Sequence, residues 1–270
     1  PPGREGLTLR TPRPWTQTPT VRELARSTRV LVPDLPGVDR HLRTGVPAFA
    51  DHADAVADAI EAWAGPPVIL AGHSLGAEVV VAIARRHPSL VERAVLIGPT
   101  GDPASGDVFG VWKRWMTTAV SEPLAFNLLT IAELVRIGPF RMAALLRRSF
   151  QDPVEEKLAD LRCPTLLVRG ERDHVAPAAW LDRMARQIPD ARIVTVAGSA
   201  HTLVSSDPRT LTDLLVEPCS GLPPQRLDVP AGVVPGEEPG RRRGPVVVRG
   251  DVDERRQHGS ERLAGGADDG

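Results

Sequence analysis

Residues 71–80 read AGHSLGAEVV, and within them Gly72-His73-Ser74-Leu75-Gly76 fits the pattern G-x-S-x-G. With the 24 glycines and 11 serines of this chain, chance supplies on the order of 0.09 such matches, so context has to decide what Ser74 does. The residues before it, Val68-Ile69-Leu70-Ala71, form a short apolar run bounded by Pro66-Pro67 and read as a buried strand. Those after it, Ala77 to Arg86, are apolar nearly all round and read as a buried helix. A tight strand-to-helix turn lifts a serine hydroxyl above the carboxyl edge of a sheet. Glycines at 72 and 76 remove side chains that such a crowded turn would not admit. The backbone N–H of Leu75 then opens a helix and points toward any oxyanion formed at Ser74. The plainer reading is a serine that only caps a helix.

Outward from this turn, apolar runs alternate with helical stretches. Val30–Val32, Ala94–Ile97, Thr165–Val168 and Arg192–Val196 read as further strands. The stretch ADHADAVADAIEAWAG places Ala53, Val56, Ala57, Ile60 and Trp63 on one helical face. This alternation predicts an α/β fold with a mostly parallel sheet and helices on both faces. Residues 102–160 break the rhythm. They carry no strand pattern and read as a helical cap whose apolar residues include Phe109, Trp112, Met116, Leu124 and Leu128.

A serine nucleophile needs a base, and the base needs an orienting acid. Seven histidines are present. His52 falls on the polar side of its helix, His87 ends one, and His73 adjoins Ser74 and should point elsewhere. His201, in VAGSAHTLVSSDP, follows the last strand of the regular region and so lies at the same sheet edge as Ser74. Asp173, in LLVRGERDHVAP, follows the strand before it. Asp102, after the strand Ala94–Ile97, is the alternative acid. Glu171 reads as a loop residue.

The blocks VLVPDLPG, VILAGHSLGAEVVVAIARRHP, VERAVLIGPTGDP, CPTLLVRGERDHVAP and VAGSAHTLVSSDP resemble, in order, those of the α/β-hydrolase superfamily, in its bacterial single-domain form with a helical cap. The resemblance covers roughly residues 15–216. It implies Ser74 as nucleophile, His201 as base and Asp173 as acid, in the order Ser…Asp…His. It implies hydrolysis of an ester or related acyl bond through an acyl-enzyme, with C–C bond or lactone hydrolysis on the same triad as the alternative. No metal or organic cofactor is implied, and the apolar cap suggests a small apolar organic ester-type substrate.

The family normally opens with a hairpin and a strand ending in His-Gly, whose loop supplies a second oxyanion N–H. No His-Gly occurs here, and the first 14 residues read as an irregular remnant. Gly6-Leu7 is one reading of that loop, with Leu7 as the second donor. The other takes Leu7-Thr8-Leu9-Arg10 as a relic of the hairpin. On either reading N-terminal strands are missing, Val30–Val32 lacks a partner, and catalysis is impaired.

Residues 217–270 hold 10 Gly and 7 Pro and no Phe, Trp, Met or Ile. That composition predicts a disordered tail, dispensable for folding. GRRRG within it reads as a solvated charge run. The formal net charge of −1 gives no overall field to attract nucleic acid or an anionic membrane. Two cysteines suit a reducing cytoplasm, and no apolar run has the length of a membrane span.

Overall fold

Short runs rich in Val, Ile, Leu and Ala around the Ser74 turn become interior strands because both their faces are covered. The computed structural model describes residues 18–33, 35, 45–63, 67–216, 227–229 and 246–248. Chain order is α1 (Thr18–Leu24), β1 (Val30–Leu31), α2 (Phe49–Trp63), β2 (Val68–His73), α3 (Leu75–Arg86), β3 (Val91–Ile97), α4 (Val108–Ala119), α5 (Leu124–Ile137), α6 (Pro139–Gln151), β4 (Thr165–Gly170), α7 (Ala178–Gln187), β5 (Ala191–Val196), α8 (Leu203–Ser206), α9 (Pro208–Val216), β6 (Leu227–Val229) and β7 (Val246–Val248). The strands form one sheet in the order β1-β7-β2-β3-β4-β5-β6, with every pairing parallel.

Alternate residues of each strand feed two cores. Val68, Leu70, Ala94, Leu96 and Leu167 pack with α2, α3 and α7. Ile69, Ala71, Val95, Ile97, Leu166 and Val168 pack with α1, α8 and α9 on the other face. Full burial of each such aliphatic side chain stabilises by about 1.5–3 kcal/mol, so the central strands are firmly held. As its composition predicts, α3 is buried on nearly every side, from Gly76 to Ala84. Among the described residues no helix is long and apolar enough to cross a membrane.

Four expectations change. The stripe of α2 runs through Phe49, His52, Ala53, Val56, Ala57 and Ile60. His52 is therefore buried, not on the polar side. Trp63, at the helix end, is half-buried under the Arg29 guanidinium, 4.6 Å from its ring centroid. Helix α1, which has no clear sequence signal, buries Val21 and Leu24, and its Thr20 hydroxyl donates to the carbonyl of Val204.

The other two changes concern the ends of the sheet. The segment 217–270 is not uniformly irregular. Leu227–Val229 extends the sheet beyond β5, and Val246–Val248 inserts between β1 and β2. The Gly/Pro average conceals a Val-Val-Val triplet, the β-branched type that suits an interior strand. Consequently β1 does not lack a partner: Val30 and Leu31 pair with Val246 and Val247. On its other side β7 pairs with Ile69, Leu70 and Ala71 of the Ser74 strand. The proposed remnant at residues 1–14, Leu7 included, lies outside the described residues.

Candidate active site

Strand β2 ends at His73, and α3 starts at Leu75. Ser74 between them has φ 54° and ψ −124°, and it is the only described residue other than glycine with positive φ. Such a conformation costs on the order of 1–3 kcal/mol unless surrounding structure fixes it. The fixing contacts are visible. The Ser74 N–H donates to the carbonyl of Ile97 on β3 at 2.9 Å. A Cβ at Gly72 would stand 2.3 Å from the Gly76 carbonyl oxygen and 2.7 Å from Val80 Cγ2, so the turn closes only over glycine. The Ser74 side chain makes no capping hydrogen bond, which removes the plainer reading of this serine. Leu75, as the first residue of α3, has its N–H in the first helical turn, where donors lack intrahelical partners.

Asp173 and His201 meet beside this turn. Nδ1 of His201 donates to Oδ2 of Asp173 at 2.8 Å, and both side chains are buried. The second carboxylate oxygen accepts the N–H groups of Val175 at 2.8 Å and Ala176 at 3.0 Å. The loop carrying Asp173 is itself braced. Arg169, buried at the end of β4, donates to the carbonyls of Glu171, Asp173 and Ala176. The loop carrying His201 lies directly on Gly170, where a Cβ would be 2.4 Å from the Ala200 carbonyl oxygen. The end of β3 links the three residues. Ser74 bonds to Ile97, while a Cβ at Gly98 would sit 3.1 Å from both Asp173 Oδ2 and His201 Nδ1.

The electrostatics follow from this packing. Burial alone would raise the Asp173 pKa, but the charge and hydrogen bond of His201, the Ala176 N–H and His73 outweigh it and hold the carboxyl below its usual range. Burial alone would lower His201, but the Asp173 charge and hydrogen bond, aided by Glu122, raise it above its ordinary value.

Asp102, the alternative acid, is engaged by other groups. It caps the turn Pro103–Ser105 by accepting the Ala104 N–H. Its carboxylate also accepts from Arg114 at 2.5 Å and from Arg183. Glu171 serves its loop by accepting the Gly198 N–H at 2.8 Å. Three groups escaped the sequence reading. Nε2 of His73 lies 2.9 Å from the carbonyl oxygen of His201, with the two rings 4.8 Å apart, so His73 does face the site. Glu122, between α4 and α5, accepts from both the N–H and the hydroxyl of Thr202. Thr118 of α4 accepts the His174 N–H at 3.0 Å. The last two tie α4 and the α4–α5 turn to the loops that carry His201 and Asp173. Among the described residues, no group of three or more His, Cys, Asp and Glu gathers where a metal could be held.

The model of the alpha/beta hydrolase family matches residues 6–214. The chain belongs to that family. It is 36% identical over 206 residues to a 2-hydroxymuconate semialdehyde hydrolase of Pseudomonas sp. (strain CF600), covering 66% of this chain and 72% of that one. It is 26% identical over 225 residues to a pimeloyl-[acyl-carrier protein] methyl ester esterase of Aromatoleum aromaticum, covering 72% and 88%. Among solved structures, a thermophilic esterase from Thermogutta terrifontis superposes with a TM-score of 0.58 at 21% identity, covering 78% of this chain and 85% of that chain. The family and its fold make this alpha/beta hydrolase a hydrolase with a parallel central sheet.

Proposed function

We propose that this alpha/beta hydrolase cleaves an ester or related acyl bond through an acyl-enzyme on Ser74. The observation that carries the reading is the 2.8 Å His201–Asp173 pair beside a serine held at positive φ. With Nδ1 donating to the carboxylate, Nε2 of His201 is left as the basic nitrogen. Ser74 Oγ attacks the carbonyl carbon as its proton passes to Nε2, and the carbonyl electron pair becomes an oxyanion. The Leu75 N–H faces that oxyanion. Collapse expels the leaving oxygen, which takes the proton from His201. Water then attacks the acyl carbon, gives its proton to the same nitrogen, and releases Ser74. Asp173 keeps the imidazole in the required tautomer and stabilises its cationic form.

A fluorophosphonate probe tests the assignment directly. It should label Ser74, as mapped by peptide mass spectrometry, and Ser74→Ala should abolish both labelling and p-nitrophenyl ester turnover. Labelling elsewhere, or none, sinks the reading. One relative favours a second chemistry on the same residues: the 36% identical protein is named for hydrolysis of a semialdehyde. Acyl esters assayed beside a diketone separate the two by which substrate shows the higher kcat/KM.

A further inference from the structure

Two cap residues reach the loops of the His201–Asp173 pair, and they stand close together in the chain. Thr118, in the last turn of α4, accepts the N–H of His174, the residue after Asp173, at 3.0 Å. Glu122, just past the end of that helix, accepts the N–H of Thr202, the residue after His201, at 2.7 Å. Its other carboxylate oxygen accepts the Thr202 hydroxyl. Thr202 is the N-cap of α8, yet its side chain makes no bond to that helix. The hydroxyl that would ordinarily close its own helix is given to the cap instead.

The stretch that carries both acceptors is itself tied down. The Thr118 hydroxyl donates to the Arg114 carbonyl at 3.0 Å, and Arg114 is held by Asp102, after β3. Beyond α4, the N–H groups of Ser121 and Glu122 return to the carbonyls of Thr118 at 2.8 Å and Ala119 at 3.2 Å. The Asn127 side-chain amide donates to the Ala119 carbonyl at 2.8 Å.

Charge adds to this geometry. Among the described residues Glu122 takes part in no ion pair with Lys or Arg. Its charge acts on His201 in the same direction as that of Asp173, favouring the imidazolium. His73, at the end of β2, is the other titratable group against His201, with its ring 4.8 Å away. Hydrogen bonds to an ionised acceptor are roughly twice as strong as neutral ones, so the Glu122–Thr202 contact is a firm hold on the His201 loop.

Given Ser74 as the nucleophile, we propose that Glu122 and Thr118 are positioning residues for its reaction, holding from the cap the two loops on which His201 and Asp173 sit. Neither touches the reacting atoms. Glu122 acts through Thr202, and Thr118 through His174. When Ser74 yields its proton, His201 becomes cationic. The Glu122 charge stabilises that cation, and the Thr202 bonds keep the imidazole aimed at Ser74.

Substitution separates the charge from the hold. Glu122→Gln removes the charge and keeps an acceptor for the Thr202 N–H. The acidic limb of its kcat/KM profile should lie at lower pH than the parent's. So should the His201 titration, read by NMR from the ring C–H resonances and assigned by their loss in His201→Gln. Glu122→Ala removes charge and acceptor together. It should lower kcat on the order of 10²-fold, the cost of misplacing a group by about 1 Å, with KM little changed. Thr118→Val removes only an uncharged acceptor, so it should lower kcat and leave the limb in place, and Thr118→Ser should restore kcat. Circular dichroism melts check that the variants are folded. A Glu122→Gln limb or His201 titration that superimposes on the parent's overturns the proposal, as does a Glu122→Ala variant that loses Tm and keeps kcat. A parent that the fluorophosphonate probe leaves unlabelled at Ser74 sinks the nucleophile instead. The His201 titration needs no turnover and decides the role of Glu122 separately.

Discussion

Ser74 is strained whatever its chemistry, and the strain can be separated from the proposed reactivity by substitution. Glycine tolerates positive φ without penalty, while alanine retains it. Ser74→Gly should therefore melt a few degrees above Ser74→Ala in calorimetry, although both lack turnover. The acid–base pair gives a second test at this scale. The His201 pKa is raised by Asp173 once burial is outweighed, and a general base must be neutral to act. The acidic limb of the kcat/KM profile should then lie above the ordinary histidine value of about 6.5. Asp173→Asn should move that limb down and lower kcat by about 10⁴-fold. Linkage runs in opposite directions for the two groups. The raised His201 contributes stability at acidic pH that fades as pH rises through its folded pKa. The lowered Asp173 contributes stability at neutral pH that fades as pH falls through its own. The pairing of Asp173 with His201 and the strained turn at Ser74 could be read from the sequence because each residue follows a strong apolar run. His73 and Glu122 could not. One acts on the His201 loop through a backbone carbonyl, and the other belongs to a cap whose docking has no sequence period.

At the level of elements, α3 is tied to the cap by one buried carboxyl. Glu78 accepts the hydroxyls of Thr100 at 2.6 Å and Ser149 at 2.7 Å, joining α3 to the loop after β3 and to α6. Its Oε2 has no hydrogen-bond partner among the described residues. Burial, only partly offset by those two bonds and by Lys157, pushes its pKa up to about 7. A carboxyl raised on folding loses stability as pH climbs from its unfolded value through its folded one. Glu78→Gln should accordingly raise Tm more at pH 8 than at pH 5, and an equal change at both would refute the assignment. Gly72→Ala tests the turn between β2 and α3. The added methyl meets backbone at 2.3 Å, and overpacking of about 1–3 kcal/mol should lower Tm by roughly 2–12 °C at about 2–4 °C per kcal/mol. Strands β2 to β5 were legible because continuous aliphatic runs have one stable destination, the inside of a parallel sheet. Strand β7 was not, because three valines among glycines, prolines and arginines leave no periodic trace.

Across the whole molecule, the sheet joins parts of the chain that are far apart in sequence. Val246 to Val248 separate β1 from the Ser74 strand, so the tail is expected to contribute to folding, against what its composition alone suggests. Deleting everything after Val216 removes β6 and β7 together. It should lower Tm by several degrees and, by baring the edge of β2, produce light scattering at concentrations where the full chain stays clear. Val247→Pro is the sharper version, since Val247 pairs on both sides and proline cannot donate within an interior strand. If both variants match the parent in Tm and scattering, β7 contributes nothing to the sheet. The position of β7 also sets a schedule for biosynthesis. A ribosome adding about 5–20 residues per second reaches Val246 roughly 9–35 s after Ile69, its partner in the sheet. Throughout that interval the nascent polypeptide holds a serine turn whose neighbouring strand has not been made. Chaperones that mask open strand edges have the whole interval in which to act, and a message cut short near its end yields a protein whose sheet stays open beside the serine.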